Sequence, residues 1–381
     1  MNESFQLPVA RHPLLFTPGP LTTSLSVKTA MLRDAGSWHF DFNRLVADVR
    51  DRLLKLAGVS RDSGWEVVPL QGSGTFGVEA VFQTCVPPTG KVVILSNGAY
   101  GERMAQILHH ARISHSVIRS PENQPNAPAQ LADLLDSDAS VTHVACVHCE
   151  TTTGILNPIE SLGEVAKRRG KVFVVDAMSS FGGMPIDFES CGIDFLIASS
   201  NKCIEGVPGF SLVYARRQLL LASEGWARSL SLDLLGQLKG FENNGQFRYT
   251  PPTHSILAFD QALRELEAEG GVSARAERYR RSHSLIIAGM EDLGFRPYLE
   301  TSLRSHIITS FHQPEDPKFE FMEFYRRVAD LGFILYPGKI SQCNTFRIGN
   351  IGRLFESDIR ALVRAIAEVL EEMQVGLPLV R

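Results

Sequence analysis

Lys202 sits in a stretch of small residues, Ser199-Ser200-Asn201-Lys202-Cys203-Ile204-Glu205-Gly206-Val207-Pro208-Gly209, that follows an apolar run, and Asp176 closes the earlier apolar run Lys171-Val172-Phe173-Val174-Val175-Asp176. A primary amine can form a Schiff base with an aldehyde, and a carboxylate opposite a pyridine nitrogen keeps that nitrogen protonated. These are the two groups that pyridoxal phosphate needs if its ring is to absorb the electrons of a substrate carbanion. Neither is diagnostic alone: loop lysines are ordinarily solvated, and Asp at a strand end ordinarily caps a helix.

A phosphate would need donors, and Gln71-Gly72-Ser73-Gly74-Thr75-Phe76-Gly77 offers them. The segment follows an apolar run and opens a helical pattern, so free N–H groups and the positive end of a helix dipole face whatever lies there. Gly72, Gly74 and Gly77 also satisfy G-x-G-x-x-G, which raises a dinucleotide site as a rival. That site expects an acid about 20 residues on, whereas the next run ends Leu95-Ser96-Asn97-Gly98. A plain tight turn is the third reading. Tyr100 could offer a flat face to a pyridine ring or could be core. Thr151 and Thr153, in Glu150-Thr151-Thr152-Thr153-Gly154, could bond a cofactor or shape a turn.

What must position these residues is an α/β domain. Apolar runs at 65–70, 92–96, 141–147, 172–176, 195–198 and 210–214 alternate with helical stretches, the pattern of a mostly parallel sheet. Ligands of such sheets collect at the carboxyl ends of the strands. Ser73, Tyr100, Thr151, Asp176 and Lys202 all fall at or just beyond such ends, on one rim. After Pro251-Pro252 come helical stretches to Glu269 and from Ser273 to Leu293. A smaller α+β rhythm follows: strands at 306–311, 334–336 and 345–348, and helices at 319–331 and 357–373. The expected division is a large domain over 21–274 and a small one over 275–381, joined by the amino-terminal segment 1–20.

A chain of 381 residues is long enough for two cores. With 38 Lys and Arg against 42 Asp and Glu, the net charge of −4 leaves no broad basic surface. Nucleic acid and anionic membrane are therefore not expected partners. Residues 1–8 lack the basic and apolar regions of a leader, and no apolar run approaches spanning length. Six scattered cysteines suit a reducing compartment, so a cytoplasmic enzyme is expected. Cys146 and Cys149 form a C-x-x-C inside what reads as one buried strand, where odd spacing sends the thiols to opposite faces. They are taken as core residues, and no metal is expected.

Together, Thr17-Pro18-Gly19-Pro20-Leu21, the Gly72 to Gly77 turn, Asn97-Gly98-Ala99-Tyr100-Gly101, Glu150-Thr151-Thr152-Thr153-Gly154, Asp176-Ala177-Met178-Ser179-Ser180-Phe181-Gly182-Gly183 and Lys202 resemble the class V, fold type I aminotransferases that use pyridoxal phosphate. The likeness runs from about Leu15 to Glu371. Ser200 to Phe210, Arg228 to Leu234, Tyr336-Pro337-Gly338-Lys339 and Phe346 to Gly352 are similar to the branch acting on 2-aminoethylphosphonate and pyruvate.

The resemblance implies a seven-stranded, mostly parallel sheet, with Lys202 as the Schiff-base lysine, Asp176 as the pyridinium partner and Tyr100 as the stacking ring. It implies that Ser73, Gly74 and Thr75 hold the phosphate, that Thr151 or Thr153 contacts the cofactor, and that Gly19 and Arg347 meet substrate. It further implies a homodimer with shared sites, in which Thr250 reaches the neighbouring subunit's cofactor phosphate. Chemistry independently suits Arg347, because a guanidinium binds carboxylate or phosphonate bidentately; a structural ion pair is the plainer alternative. Trp38-His39-Phe40-Asp41-Phe42 departs from the more acidic run of these relatives.

Three rivals remain open at this point. One is a transaminase for another small amine, such as alanine or serine with glyoxylate. Another is a β-lyase or a desulfurase, of which the desulfurase would need Cys203 or Cys343 as an activated thiol. The last is a non-catalytic binding module, which would have no use for Lys202 and Asp176.

Overall fold

The computed structural model describes residues 12–379; the stretch 1–8 considered as a leader lies outside them, as does part of the expected segment 1–20. Seven strands form the central sheet: β1 (Trp65–Gln71), β2 (Lys91–Ser96), β3 (Ser114–Arg119), β4 (Val141–Val147), β5 (Val172–Asp176), β6 (Phe195–Ser199) and β7 (Phe210–Arg216). Their spatial order is β1-β7-β6-β5-β4-β2-β3. All neighbours are parallel except β7, which is antiparallel to both β1 and β6. Being antiparallel to a shared partner, β1 and β6 point the same way. The carboxyl ends of β1, β2, β4, β5 and β6 therefore meet on one rim.

The strand interiors are buried almost throughout because helices cover both faces. β3 is the exception. Its Ser-His-Ser-Val-Ile-Arg sequence is only half-buried, it pairs on one side alone, and it carries no apolar run for periodicity to detect. The expected strand holding both Cys146 and Cys149 is corrected: β4 ends at Val147. The His148 N–H turns to the Asp176 carbonyl at 2.9 Å, and Cys149 opens the two-residue strand Cys149–Glu150, paired with Ile155–Leu156. Both thiols are buried and unpaired.

Helices α1 (Gly74–Cys85) and α2 (Ala99–His110) begin on the rim after β1 and β2. Further on, α3 (Thr253–Glu269) is followed directly by the 22-residue α4 (Gly271–Asp292). A second sheet of three antiparallel strands, β8 (Ile308–His312), β9 (Tyr336–Pro337) and β10 (Thr345–Gly349), has the order β8-β10-β9. It packs with α5 (Phe321–Asp330) and α6 (Glu356–Glu372) around Phe311, Phe324, Phe346, Ile359 and Ile366. Phe16 belongs to this second core, and Leu14–Leu15 pairs in parallel with Phe333–Ile334. The expected division at 274/275 falls inside α4.

Candidate active site

Asp176 is the last residue of β5, in register with Val147 and Ile197, so the sheet itself fixes its backbone. Its carboxyl is 4% exposed and accepts the Met178 N–H at 2.9 Å. Burial, with the nearby Glu150 carboxylate adding to it, pushes its pKa up to about 7. A buried acid with so little compensation is arranged to meet a cationic or proton-bearing partner. It lines a small cavity with Thr75, Tyr100, Arg103, Met104 and Met178.

Lys202 lies three residues beyond β6. Its loop is folded by the Glu205 N–H on the Lys202 carbonyl (2.7 Å), the Gly206 N–H on the Ser200 carbonyl (3.0 Å) and the Ser200 hydroxyl on the Val207 carbonyl (2.7 Å). Glu205 holds a left-handed φ of 66°, a conformation costly for a residue with a side chain. It is kept there by buried bonds from Arg278 and Tyr279, both 2.7 Å. The Lys202 ammonium donates to the Pro18 carbonyl at 2.6 Å. Burial pushes its pKa below the ordinary lysine value, which favours the neutral, nucleophilic amine. Gly19 leaves room for it: at φ 108°, a Cβ there would stand 2.6 Å from Lys202 Cδ.

Ser73 is the exposed N-cap of α1, and its hydroxyl does not cap the helix. The Gly74 side packs so closely that a Cβ would overlap Met178 Sδ. Thr75 Oγ1 accepts from Arg103 Nη1 at 3.4 Å. Tyr100 sits in the first turn of α2, and its N–H, with that of Gly101, points to the wholly buried Glu150 carboxylate at 3.1 and 3.4 Å. Burial raises Glu150, so the carboxylate serves as an internal cap for α2 rather than as a surface acid. The Tyr100 phenol is pushed up by burial, but the Thr151 hydroxyl and the cations Lys202, Lys339 and Arg347 outweigh this and bring it below the ordinary value.

The two threonines left open by sequence separate in the structure. Thr153 Oγ1 accepts the Ile155 N–H at 3.3 Å inside its own turn, whereas the Thr151 hydroxyl faces Tyr100. Arg347, in the middle strand β10, is fully buried. Its Nε donates to the Pro337 carbonyl at 2.9 Å and its Nη1 to the Thr151 carbonyl at 2.8 Å. Its Nη2 is buried with no partner, and no carboxylate pairs with it among the described residues. The structural ion pair is therefore not what this arginine makes. Thr250, by contrast, is exposed on the loop before α3 and does not join the cluster within one chain.

Sequence reading passed over Arg103, three residues after Tyr100 on one helix face, a spacing that could have flagged it. It also gave no individual role to Glu150 or Lys339. The thiols proposed for a desulfurase are not activated. Burial pushes the Cys203 thiol up, with its Sγ at 3.1 Å from the Ser179 carbonyl, and burial raises Cys343 as well.

The rim thus offers an amine, a buried acid, an aromatic ring and the amino end of a helix, the donor set that pyridoxal phosphate requires. A relative from Klebsiella pneumoniae subsp. pneumoniae, 2-aminoethylphosphonate–pyruvate transaminase, is 51% identical over 360 residues, 94% of this chain and 97% of its own. A relative of the same name from Salmonella heidelberg is 50% identical over 373 residues, covering 96% and 100%. Among solved structures, alanine–glyoxylate aminotransferase from Nostoc sp. superposes with a TM-score of 0.87 at 23% identity, covering 97% of each chain. Ureidoglycine–glyoxylate aminotransferase from Bacillus subtilis gives 0.87 at 21%, covering 96% and 94%. The family model described as aminotransferase class-V matches residues 23–318, and the chain belongs to that family, of fold type I and dependent on pyridoxal phosphate.

Proposed function

We propose that this enzyme moves the amino group of 2-aminoethylphosphonate to pyruvate, giving phosphonoacetaldehyde and alanine. The observation that carries the reading is Arg347: a buried guanidinium of the second sheet with no acid paired to it among the described residues and one free Nη2, aimed by the Thr151 carbonyl of the rim that holds Lys202. Such a group awaits an anion brought by substrate. The phosphonate of one half-reaction and the carboxylate of the other would use it in turn. The two relatives named for these substrates support the choice.

When bound, pyridoxal phosphate supplies an electron sink for the carbanion formed beside the substrate nitrogen. The chain's own residues do the rest. Asp176 holds positive charge at the ring nitrogen. Ser73, Gly74 and Thr75 bind the phosphate at the start of α1, and Tyr100 stacks on the ring. Thr151 supplies the hydroxyl, since it faces Tyr100, whereas Thr153 turns toward the Ile155 N–H of its own turn. Lys202 Nζ, made less basic by burial, takes the proton from the substrate carbon next to nitrogen and would deliver it to the cofactor side rather than back to that carbon, the relocation that leaves the amino group behind. One positioned base of this kind is worth about 10² to 10⁴ in rate.

Residues 21–274 and 275–381 would act as the two domains, and the active unit would be a homodimer. Trp38, Phe40 and Leu230 are 80%, 65% and 74% exposed, and Phe76 and Tyr249 line one surface hollow beside Gly72. In a two-fold dimer the same patch meets itself, which would carry Thr250 of the partner subunit toward Ser73. Six free cysteines and no helix long and apolar enough to cross a membrane, among the described residues, accord with a cytoplasmic location.

The test is to mix purified enzyme with 2-aminoethylphosphonate and no keto acid, and to follow the visible absorption of the cofactor. Conversion should be fastest with 2-aminoethylphosphonate against alanine, serine and β-alanine. Conversion by serine or β-alanine with none by the phosphonate would reject the assignment.

A further inference from the structure

The hairpin between β9 and β10 carries a cation that the reaction described above leaves unused. Tyr336 pairs with Arg347 across the two strands, and the Gly338 N–H bonds the Thr345 carbonyl at 3.1 Å, so the turn holding Lys339 projects from the strand that bears the buried guanidinium. Its far side is anchored. Ser341 donates through both N–H and Oγ to Glu122 Oε2, at 3.0 and 3.1 Å, on the loop after β3. This places Lys339 Nζ 5.1 Å from the centroid of the Tyr100 ring. Lys339 is exposed and carries no ion pair among the described residues.

Arg347 is short of donors for the larger anion. Nε and one arm of Nη1 are spent on the Pro337 and Thr151 carbonyls, leaving the Nη1–Nη2 edge. That edge suffices for a flat carboxylate with one charge. A tetrahedral phosphonate has three oxygens and, like a phosphate monoester, approaches two charges near neutral pH. Its third oxygen and second charge need another cation on the substrate side of Tyr100.

We propose that Lys339 is the specificity-determining residue for the phosphonate half-reaction, a second cation that recognises the dianionic, tetrahedral substrate and contributes little to the carboxylate of pyruvate or alanine. The inference rests on the functional reading given above. An ammonium on a flexible stem suits this task, because it acts as a point charge on whichever oxygen Arg347 leaves free.

The test titrates the holoenzyme by calorimetry with two unreactive anions, ethylphosphonate and propionate, in wild type, Lys339→Met and Lys339→Arg. Lys339→Met should lose about tenfold in ethylphosphonate affinity, the scale of one charged contact. Its propionate affinity should change by less than about threefold, and Lys339→Arg should recover most of the loss. Equal loss for both anions, or no loss, would overturn the proposal. Single-turnover reactions with 2-aminoethylphosphonate and with alanine separate the two readings. If wild type converts the phosphonate and Lys339→Met shows no selective defect, only the role of Lys339 is wrong. If wild type does not convert it, yet ethylphosphonate binding still depends on Lys339, the anion subsite stands and the assigned reaction falls.

Discussion

Arg347 Nη1 is held 2.8 Å from the backbone carbonyl of Thr151, so the cation of the second sheet is aimed by a main-chain atom from the rim of the first. A carbonyl orients a guanidinium without neutralising it. Positive charge is thereby kept available inside a fully buried site.

Replacing Arg347 should accordingly damage catalysis far more than folding. Arg347→Met removes no ion pair, and its thermal midpoint without substrate should stay near wild type, while kcat/KM falls about 10²-fold or more for both the amine and pyruvate. Arg278→Met is the contrast. It breaks bonds to Glu205, Glu269 and the Gly352 carbonyl, and although Arg275 still pairs with both acids and Tyr279 with Glu205, losing these charged hydrogen bonds should cost about 1.5 to 3 kcal/mol. Urea titration of the two variants side by side checks the distinction.

Gly19→Ala tests the space reserved for the lysine. The φ of 108° and the 2.6 Å approach to Lys202 Cδ mean that the methyl group must displace the amine. Stability should fall by roughly 1 to 2 kcal/mol, and kcat by about 10²-fold from misplacement. A variant with native turnover would show that the Lys202 position at the Pro18 carbonyl is not the working one.

Asp176 gives the cofactor-free protein a pH signature. Its pKa is raised from 3.8 to about 7 by burial, so the folded chain keeps a proton that the unfolded chain releases above about pH 4. Stability is therefore greatest, as far as this group is concerned, below pH 4, falls as pH rises to about 7, and is level beyond. The loss is at most roughly 4 kcal/mol, at about 1.4 kcal/mol per unit. Asp176→Asn should flatten that portion of the curve when stripped protein is unfolded at a series of pH values. The same variant should lose most turnover when the cofactor is restored.

The exposed aromatic patch should be an interface. Trp38→Asp combined with Phe40→Asp should shift the protein to monomer in sedimentation and weaken cofactor retention, since the partner's Thr250 would then be missing. A double variant that remains a dimer would place the contact elsewhere.

Much of this was readable from residues because parallel sheets advertise themselves. Buried on both faces, β2, β4, β5 and β6 must be continuous apolar runs, and their ends mark the rim where Tyr100, Thr151, Asp176 and Lys202 stand. β3 escaped because an edge strand can alternate polar and apolar residues. The choice between Thr151 and Thr153 could not be made from spacing, since it depends on which hydroxyl the turn consumes. Lys339 gains meaning only through its distance to Tyr100, a tertiary fact, whereas Arg103 lies one helical turn from Tyr100 and could have been flagged by spacing. Arg347 was named from its motif and chemistry, but whether an acid already satisfied it could be learned only from its surroundings.

Helix α4 is gripped at both extremities. Near its start, Arg275 and Arg278 fasten the Cys203 carbonyl and Glu205, immediately after the lysine, and toward its end Ile286 and Met290 are embedded in the second core. A stiff rod some 33 Å long, at 1.5 Å per residue over 22 residues, thus braces the two cores against each other. The turn that bears Lys202 and the core beneath the sheet that carries Arg347 share one rigid support, which fixes the span between amine and guanidinium.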